Sequence, residues 1–132
     1  MDRSTRLQEL VEHARNPRFQ GRLERVDVEM PGGSPECGGS VVVYLKGDGN
    51  GSIDDLAWTG QGDTISMGAT SMVMERVRER DLTMQEVLDM DYDEVMQTIG
   101  RDIIGTRTRN ATLGLSTLKA AVRKYQRLKN QR

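Results

Sequence analysis

Hydrophobic residues recur at helical spacing near the start of the chain and then switch to alternation. The helical stretch follows Ser4, a suitable N-cap, and stops at Asn16-Pro17, because the residue before a proline resists the helical conformation. Its apolar positions are Leu7, Leu10, Val11 and Ala14. After Gly21, the apolar residues Val26, Val28 and Met30 alternate with charged residues. This alternation predicts a strand with one buried face.

Two further strands are predicted after a glycine-rich loop with the sequence PGGSPECGG. The segments SVVVYLK and SIDDLAWTG contain many β-branched and aromatic residues, which are typical of strands. The sequence GDGNG between them suits a tight hairpin. The three strands together predict a small antiparallel meander.

Beyond the sequence GQGDT the apolar spacing returns to that of helices. One helix is predicted from the positions Ile65, Ala69, Met72, Val73 and Val77. Shorter helices are predicted near Thr83, where Glu86 completes a capping box, and near Asp91, ending at Gly100. A long amphipathic helix carries Leu115, Leu118, Val122 and Tyr125 on one stripe. The order predicts one α+β domain over residues 1–132, with a three-stranded antiparallel sheet and helices packed on one face.

Composition narrows the function classes. The chain has 132 residues with 19 basic and 20 acidic side chains, so no global field attracts nucleic acid or anionic lipid. Its start is charged, and no apolar run reaches the roughly 18 residues of a membrane span, so we expect a soluble cytoplasmic protein without a membrane partner. The sequons at Asn50 and Asn110 are therefore expected to be coincidental. A basic tail contains Lys119, Arg123, Lys124, Arg127, Lys129 and Arg132. It indicates a solvated helix end, with a docking surface as the alternative.

The common catalytic and metal-binding motifs are absent or incomplete. The string KGDGNGSIDDLA resembles a calcium loop, but its first and twelfth ligand positions hold Lys46 and Ala57, so a hairpin turn is the better interpretation. His13 is the only histidine and is expected to be structural, while the eight methionines are expected to fill core gaps. Because no Cys-His or Ser-His-Asp arrangement has a local signature, we expect no enzyme activity.

Four segments resemble the IscU/NifU family of iron–sulfur cluster scaffolds. They are LQELVEHARNPRFQGRL, PECGGSVVVYLK, GSIDDLAWTGQGDTISMGATSMVMERV and RTRNATLGLSTLKAAV, in the family's order and over nearly the whole chain. The resemblance implies a scaffold fold, a link to iron–sulfur cluster assembly or sulfur transfer, and a cysteine desulfurase as a partner. The family's prolyl motif for an Hsp70 chaperone is replaced by IGTRT, so that partner is not expected.

The chain departs from the family at the ligand positions. Family members hold a [2Fe-2S] cluster or zinc with three cysteines and a nearby Asp or His. Cys37 fills the first cysteine position, whereas Asp63 and Asn110 replace the second and third. Gly39 stands where the family usually has Asp, and Arg109 where some members have His. A single thiolate beside a cation predicts that the monomer holds no stable cluster, because clusters normally take four soft protein ligands.

Three functions remain open at the level of sequence. In the first, Cys37 accepts a persulfide sulfur, helped by Arg109, because a neighbouring cation stabilises a thiolate. In the second, the protein is a binding or adaptor module that kept the fold and lost the chemistry. In the third, a homodimer supplies two copies of Cys37 and Asp63, which would hold zinc or an iron–sulfur cluster between the chains. The plainest interpretation of Cys37 is a leftover small residue in a loop.

Overall fold

The chain begins with a helix, continues through three strands and ends in helices. A computed structural model describes residues 1–131, so Arg132 of the basic tail lies outside the described residues. The elements are α1 (Arg3–Arg15), β1 (Val28–Ser34), β2 (Gly39–Gly47), β3 (Ile53–Gly62), α2 (Thr64–Glu79), α3 (Met84–Asp89), α4 (Tyr92–Ile99), α5 (Arg101–Ile104) and α6 (Thr108–Asn130). A single 3₁₀ turn, Pro35–Cys37, lies between β1 and β2.

The three strands form an antiparallel sheet in the order β1-β2-β3, which confirms the predicted meander. Val43 at its centre pairs with Met30 of β1 and with Trp58 of β3. Two helices cover the sheet. Helix α6 packs on β1 and β2, and helix α2 packs on β3. Val43 and Trp58 have no exposed surface, so the core lies between the sheet and these two helices.

The helical pattern predicted the packed face of α6 correctly, whereas Leu7, which it placed on the apolar face of α1, is exposed. The stripe of α6 is buried at Leu115, Leu118, Val122 and Tyr125. Met67 and Met74 of α2 are buried as well, in agreement with the expected filling of the core by methionine. Within residues 1–131, no helix combines the length and the apolar character needed to cross a membrane.

Two boundaries and one element differ from the sequence-based expectations. The N-cap of α1 is Asp2, whose carboxylate accepts a hydrogen bond from the Thr5 amide at 2.8 Å, rather than Ser4. The segment PGGS continues β1 instead of forming a loop, because a glycine at position 32 lets α6 approach the strand. A Cβ at Gly32 would lie 2.0 Å from the Thr117 hydroxyl oxygen. The short helix α5 was not predicted.

His13 connects α1 to α2 inside the protein. Its Nδ1 lies 2.8 Å from the hydroxyl oxygen of Ser71, which also accepts a hydrogen bond from the Arg18 amide at 2.8 Å. Burial, with a further contribution from the charge of Arg18, lowers the pKa of His13 below its usual 6.5. These contacts agree with the structural interpretation of this histidine.

Candidate functional site

Three segments that are distant in sequence meet around the single cysteine of the chain. The backbone amide of Asp63, at the turn between β3 and α2, donates a hydrogen bond of 2.9 Å to the carbonyl oxygen of Gly38. The side-chain amide of Asn110, in the first turn of α6, donates a hydrogen bond of 2.9 Å to Asp63 Oδ2. The structure therefore brings Asp63 and Asn110 together, beside the backbone that follows Cys37.

The turn at Cys37 depends on the glycine that follows it. Pro35 starts the 3₁₀ turn, and Gly38 ends it in the left-handed conformation with a φ of 93°. A Cβ at Gly38 would also lie 2.4 Å from the Asn110 side-chain nitrogen. Position 38 therefore favours glycine because of its left-handed backbone, and a side chain there would displace the amide of Asn110. This turn leaves Cys37 exposed.

Both carboxylate oxygens of Asp63 have partners within the protein. Oδ1 accepts a hydrogen bond of 2.8 Å from the Ser66 amide and so caps the first turn of α2. Oδ2 accepts the bond from Asn110 and a second one of 3.1 Å from Arg107 Nη1. The arginine side chain is 58% exposed and that of Asp63 is 26% exposed, so this ion pair lies at the surface. Asp63 thus connects α2 to the start of α6.

The two arginines near the site have different surroundings. Arg107 is the arginine that contacts Asp63. Nothing in the sequence pattern had indicated this residue. Arg109 instead lines an open cavity of about 310 Å³ with Cys37, whose other walls include Ser66 and Asn110. The three-residue spacing of Arg107 and Asn110 at a helix start could have indicated that both face the same side.

The side chains at the family's ligand positions, Cys37, Asp63 and Asn110, do not fit a bound metal ion or cluster. Asp63 is occupied by three hydrogen bonds, Asn110 points an N–H group at it, and Arg107 places a positive charge where a cation would bind. Within residues 1–131, no three side chains of the His, Cys, Asp and Glu types are grouped to hold a metal ion. His13 bonds to Ser71, two turns along α2 from this site, and supplies no ligand.

A family model and the sequences of known proteins indicate the same family for this chain. The family model described as NifU-like N terminal domain matches residues 6–132. The zinc-dependent sulfurtransferase SufU of Bacillus subtilis is 29% identical over 91 residues, which are 68% of this chain and 60% of that protein. The chain thus covers less than two thirds of that relative's length. The iron–sulfur cluster assembly scaffold protein IscU of Thermotoga maritima is 26% identical over 105 residues, covering 79% of this chain and 71% of that protein.

A solved structure supports the same fold. The N-terminal part of a nitrogen-fixing NifU-like protein from Brucella abortus superposes with a TM-score of 0.73 and 16% sequence identity. The superposition covers 96% of this chain and 99% of that one. At this identity the likeness concerns the fold alone.

Proposed function

The chain belongs to the family of NifU-like N-terminal domains, and from this premise we propose that it serves iron–sulfur cluster assembly as a sulfur carrier on Cys37. Relatives named as an iron–sulfur cluster assembly scaffold and as a zinc-dependent sulfurtransferase support the link to this pathway. The single observation that carries the choice of sulfur transfer is that Cys37 is exposed while Asp63 is bound by Arg107 and Asn110.

The step proposed for this chain uses one accessible thiolate and no metal, in contrast to the relative that is named a zinc-dependent sulfurtransferase. The Cys37 thiolate attacks the outer sulfur of a persulfide on the donor protein. The S–S bond of the donor breaks, the donor cysteine leaves as a thiolate, and Cys37 becomes a persulfide. No electrons are gained or lost overall, and one chain carries one sulfur. Arg109 lines the same cavity as Cys37 and supplies a positive charge near the attacking thiolate.

The partner that fits this step is a cysteine desulfurase, because the donor must carry a persulfide sulfur. The proposal places the protein in the cytoplasm as a carrier that does not turn over substrate by itself. Iron or a finished cluster would be cargo, and a single chain would not hold either stably. Four protein ligands are the rule for a cluster, and Cys37 is the only thiol in the sequence.

A dimeric metal site is less well supported by the contacts. Two copies of Cys37 and Asp63 would give four ligands, but each Asp63 would first have to leave Arg107, Asn110 and the helix cap. The adaptor alternative is favoured by the same contacts, since they hold the three segments together without a metal. The two remaining functions differ in whether the Cys37 thiol is needed.

The test is sulfur transfer to the purified protein. It is incubated with a cysteine desulfurase and cysteine, and its intact mass is measured without reductant. The wild-type protein should gain about 32 Da on Cys37, and Cys37→Ser should gain nothing. Omission of cysteine is the matched control. If the desulfurase carries its own persulfide and the wild-type protein gains no mass, the carrier function is wrong. Biological activity retained by Cys37→Ser would support the adaptor function.

A further inference from the structure

The hairpin between β2 and β3 contains the only Asn-Gly pair of the chain, Asn50-Gly51. Asparagine is chemically labile, because the backbone nitrogen of the next residue can close a five-membered ring onto the side-chain carbonyl carbon, Cγ. Glycine in the next position has no Cβ and permits the backbone rotation that closes this ring. In a folded protein, the reaction therefore depends on whether the peptide group between the two residues is free to rotate.

The peptide group that joins Asn50 to Gly51 has no hydrogen bond to hold it. Within residues 1–131, neither the Asn50 carbonyl nor the Gly51 amide has a hydrogen-bond partner, and the side-chain amide of Asn50 has none either. Both residues are exposed. A Cβ at Gly51 would meet no atom within 4 Å, so the space beside this residue is open. The nitrogen and the side chain that would react are thus both free.

The groups on either side of this peptide group are held in place. The Asp48 carboxylate accepts hydrogen bonds from the Asn50 amide at 2.7 Å and from the Ser52 amide at 3.0 Å. The Gly51 carbonyl accepts a hydrogen bond of 2.9 Å from the Met84 amide. These contacts keep Asn50 at the exposed tip of the turn while the peptide group that follows it stays unbonded.

The turn contains a second candidate pair, Asp48-Gly49, which the structure protects. The Gly49 amide donates a hydrogen bond of 3.2 Å to the Tyr125 hydroxyl, so this nitrogen is not free. The hydrogen bonds from the Asn50 and Ser52 amides lower the pKa of the Asp48 carboxyl below its usual 3.8 and keep it ionised. A nucleophile attacks an ionised carboxylate poorly, so we expect no reaction at Asp48.

The other three asparagines each lack a free nitrogen after them. Asn16 precedes Pro17, which has no N–H group. The backbone amides that follow Asn110 and Asn130 donate to carbonyls at 3.1 and 3.3 Å near the two ends of α6. Asn50 therefore differs from them in its surroundings as well as in its neighbour.

We propose that Asn50 is a self-modification site, at which the Gly51 nitrogen converts the side-chain amide into a carboxylate. The Gly51 nitrogen gives up its proton to water and attacks Cγ of Asn50. The bond between this nitrogen and Cγ forms, the bond from Cγ to the side-chain nitrogen breaks, and ammonia leaves with a proton taken from water. Water then opens the succinimide ring at either carbonyl carbon, which gives aspartate or isoaspartate. Overall, one water is consumed and one ammonia is released, with no oxidation or reduction.

The modification changes the contact between the hairpin and the end of α6. Both products place a new carboxylate close to that of Asp48, and isoaspartate also lengthens the main chain by one carbon atom. The longer chain displaces the amides that Asp48 accepts. Tyr125 and Lys129 of α6 bond to the backbone of Gly49 in the same turn. We therefore expect isoaspartate to loosen the attachment of this turn to α6, independently of any chemistry at the cysteine.

The test is incubation of the folded, full-length protein in mildly alkaline buffer for several days, followed by digestion and mass spectrometry of the peptides. The peptide with Asn50 should gain the mass difference between an amide and an acid, and should separate into an aspartate and an isoaspartate form. The peptides with Asn110 and Asn130 should keep their amides. Asn50→Gln is the matched control and should also keep its amide, because its reaction would need a six-membered ring.

A comparison with urea-unfolded protein separates the effect of the fold from that of the sequence. Because the free peptide group needs no unfolding to react, the folded protein should convert at a rate within about tenfold of the unfolded chain. An Asn50 amide that is lost only after unfolding, or no faster than that of Asn110, would overturn the proposal.

Thermal unfolding tests the structural consequence. Wild-type protein aged in this way should unfold at a lower midpoint temperature than fresh protein, whereas Asn50→Gln aged in parallel should not change. Asn50→Asp has the new charge without the extra carbon and should lose less than the aged protein. Equal midpoints of fresh and fully converted protein would contradict the expected loosening of the turn.

Discussion

The side-chain amide of Asn110 donates a hydrogen bond of 2.9 Å to the carboxylate of Asp63, which joins the first turn of α6 to the start of α2. The family resemblance assigns these two positions to the second and third cluster cysteines. In this chain the two side chains bind each other. Arg107 adds a third member to the group through its ion pair with Asp63. Hydrogen bonds among Asp63, Asn110 and Arg107 thus occupy the positions at which the resemblance places metal ligands.

Removing the carboxylate of Asp63 should destabilise the fold. Asp63→Ala loses the cap of α2 and leaves the amide of Asn110 without its acceptor, which should lower the free energy of unfolding by about 1–2 kcal/mol. Asp63→Asn keeps a capping oxygen and should lose clearly less. Urea unfolding of the three proteins measures both effects. Equal stability of Asp63→Ala and wild-type protein would show that these contacts contribute nothing.

Restoring thiols at the two positions should create a metal site. The triple variant Asp63→Cys/Asn110→Cys/Arg107→Gln has three thiolates near one another and lacks the cation that contacts Asp63, a donor set that suits zinc. After incubation with zinc and gel filtration, elemental analysis should find about one zinc per chain in the variant and none in wild-type protein. Arg107→Gln alone is the control and should also hold none. The absence of zinc from a folded triple variant would mean that the three positions do not converge as described.

Lys119 should contribute to stability through the link between α6 and the end of α3. Its ammonium group donates to the Leu88 carbonyl at 3.1 Å and to the Met90 carbonyl, and lies 4.6 Å from the centre of the Tyr92 ring. Lys119→Met leaves these carbonyls without a donor and should cost about 1–3 kcal/mol of unfolding free energy. Lys124→Met, further along the same helix, is the control and should change it by less than about 0.5 kcal/mol. Equal effects of the two substitutions in urea unfolding would contradict this role.

The depressed pKa of His13 predicts a loss of stability in mild acid. Because the folded protein lowers the pKa of His13 below 6.5, the unfolded chain binds the proton more readily. The contribution of His13 is therefore fully present above pH 6.5 and declines as the pH falls towards the folded-state pKa. Urea unfolding between about pH 7.5 and 5.5 should show a smaller decline for His13→Gln than for wild-type protein. Parallel pH profiles would mean that His13 is not responsible.

Local patterns were sufficient to predict most of the fold. Alternation predicted the strand around Val28, and the β-branched and aromatic residues predicted the strands around Val43 and Trp58, which pair as expected. The capping box of Thr83 and Glu86 was visible in the sequence and is present in the structure. The extension of β1 through Gly32 was not predictable, because it depends on the approach of Thr117 from a helix about 85 residues later.

The site was predicted less completely than the fold. The resemblance indicated Cys37, Asp63 and Asn110, and the structure brings Asp63 and Asn110 into contact beside the turn of Cys37. The resemblance could not show that Arg107, and not Arg109, contacts Asp63, because the direction of a side chain at a helix start depends on where the helix begins. The positive φ of Phe19 was not predictable either, since nothing in the local sequence requires it.

We infer that the network around Asp63 leaves a single chain with one thiol and, within residues 1–131, without a site for a metal ion or a cluster. Anaerobic incubation of the wild-type protein with iron and sulfide, followed by gel filtration, absorption spectroscopy and counting of iron and sulfide per chain, tests it most directly. We expect a colourless monomer that retains neither iron nor sulfide. A coloured monomer holding two irons and two sulfides through Cys37, Asp63 and Asn110 would show that these side chains do bind a cluster.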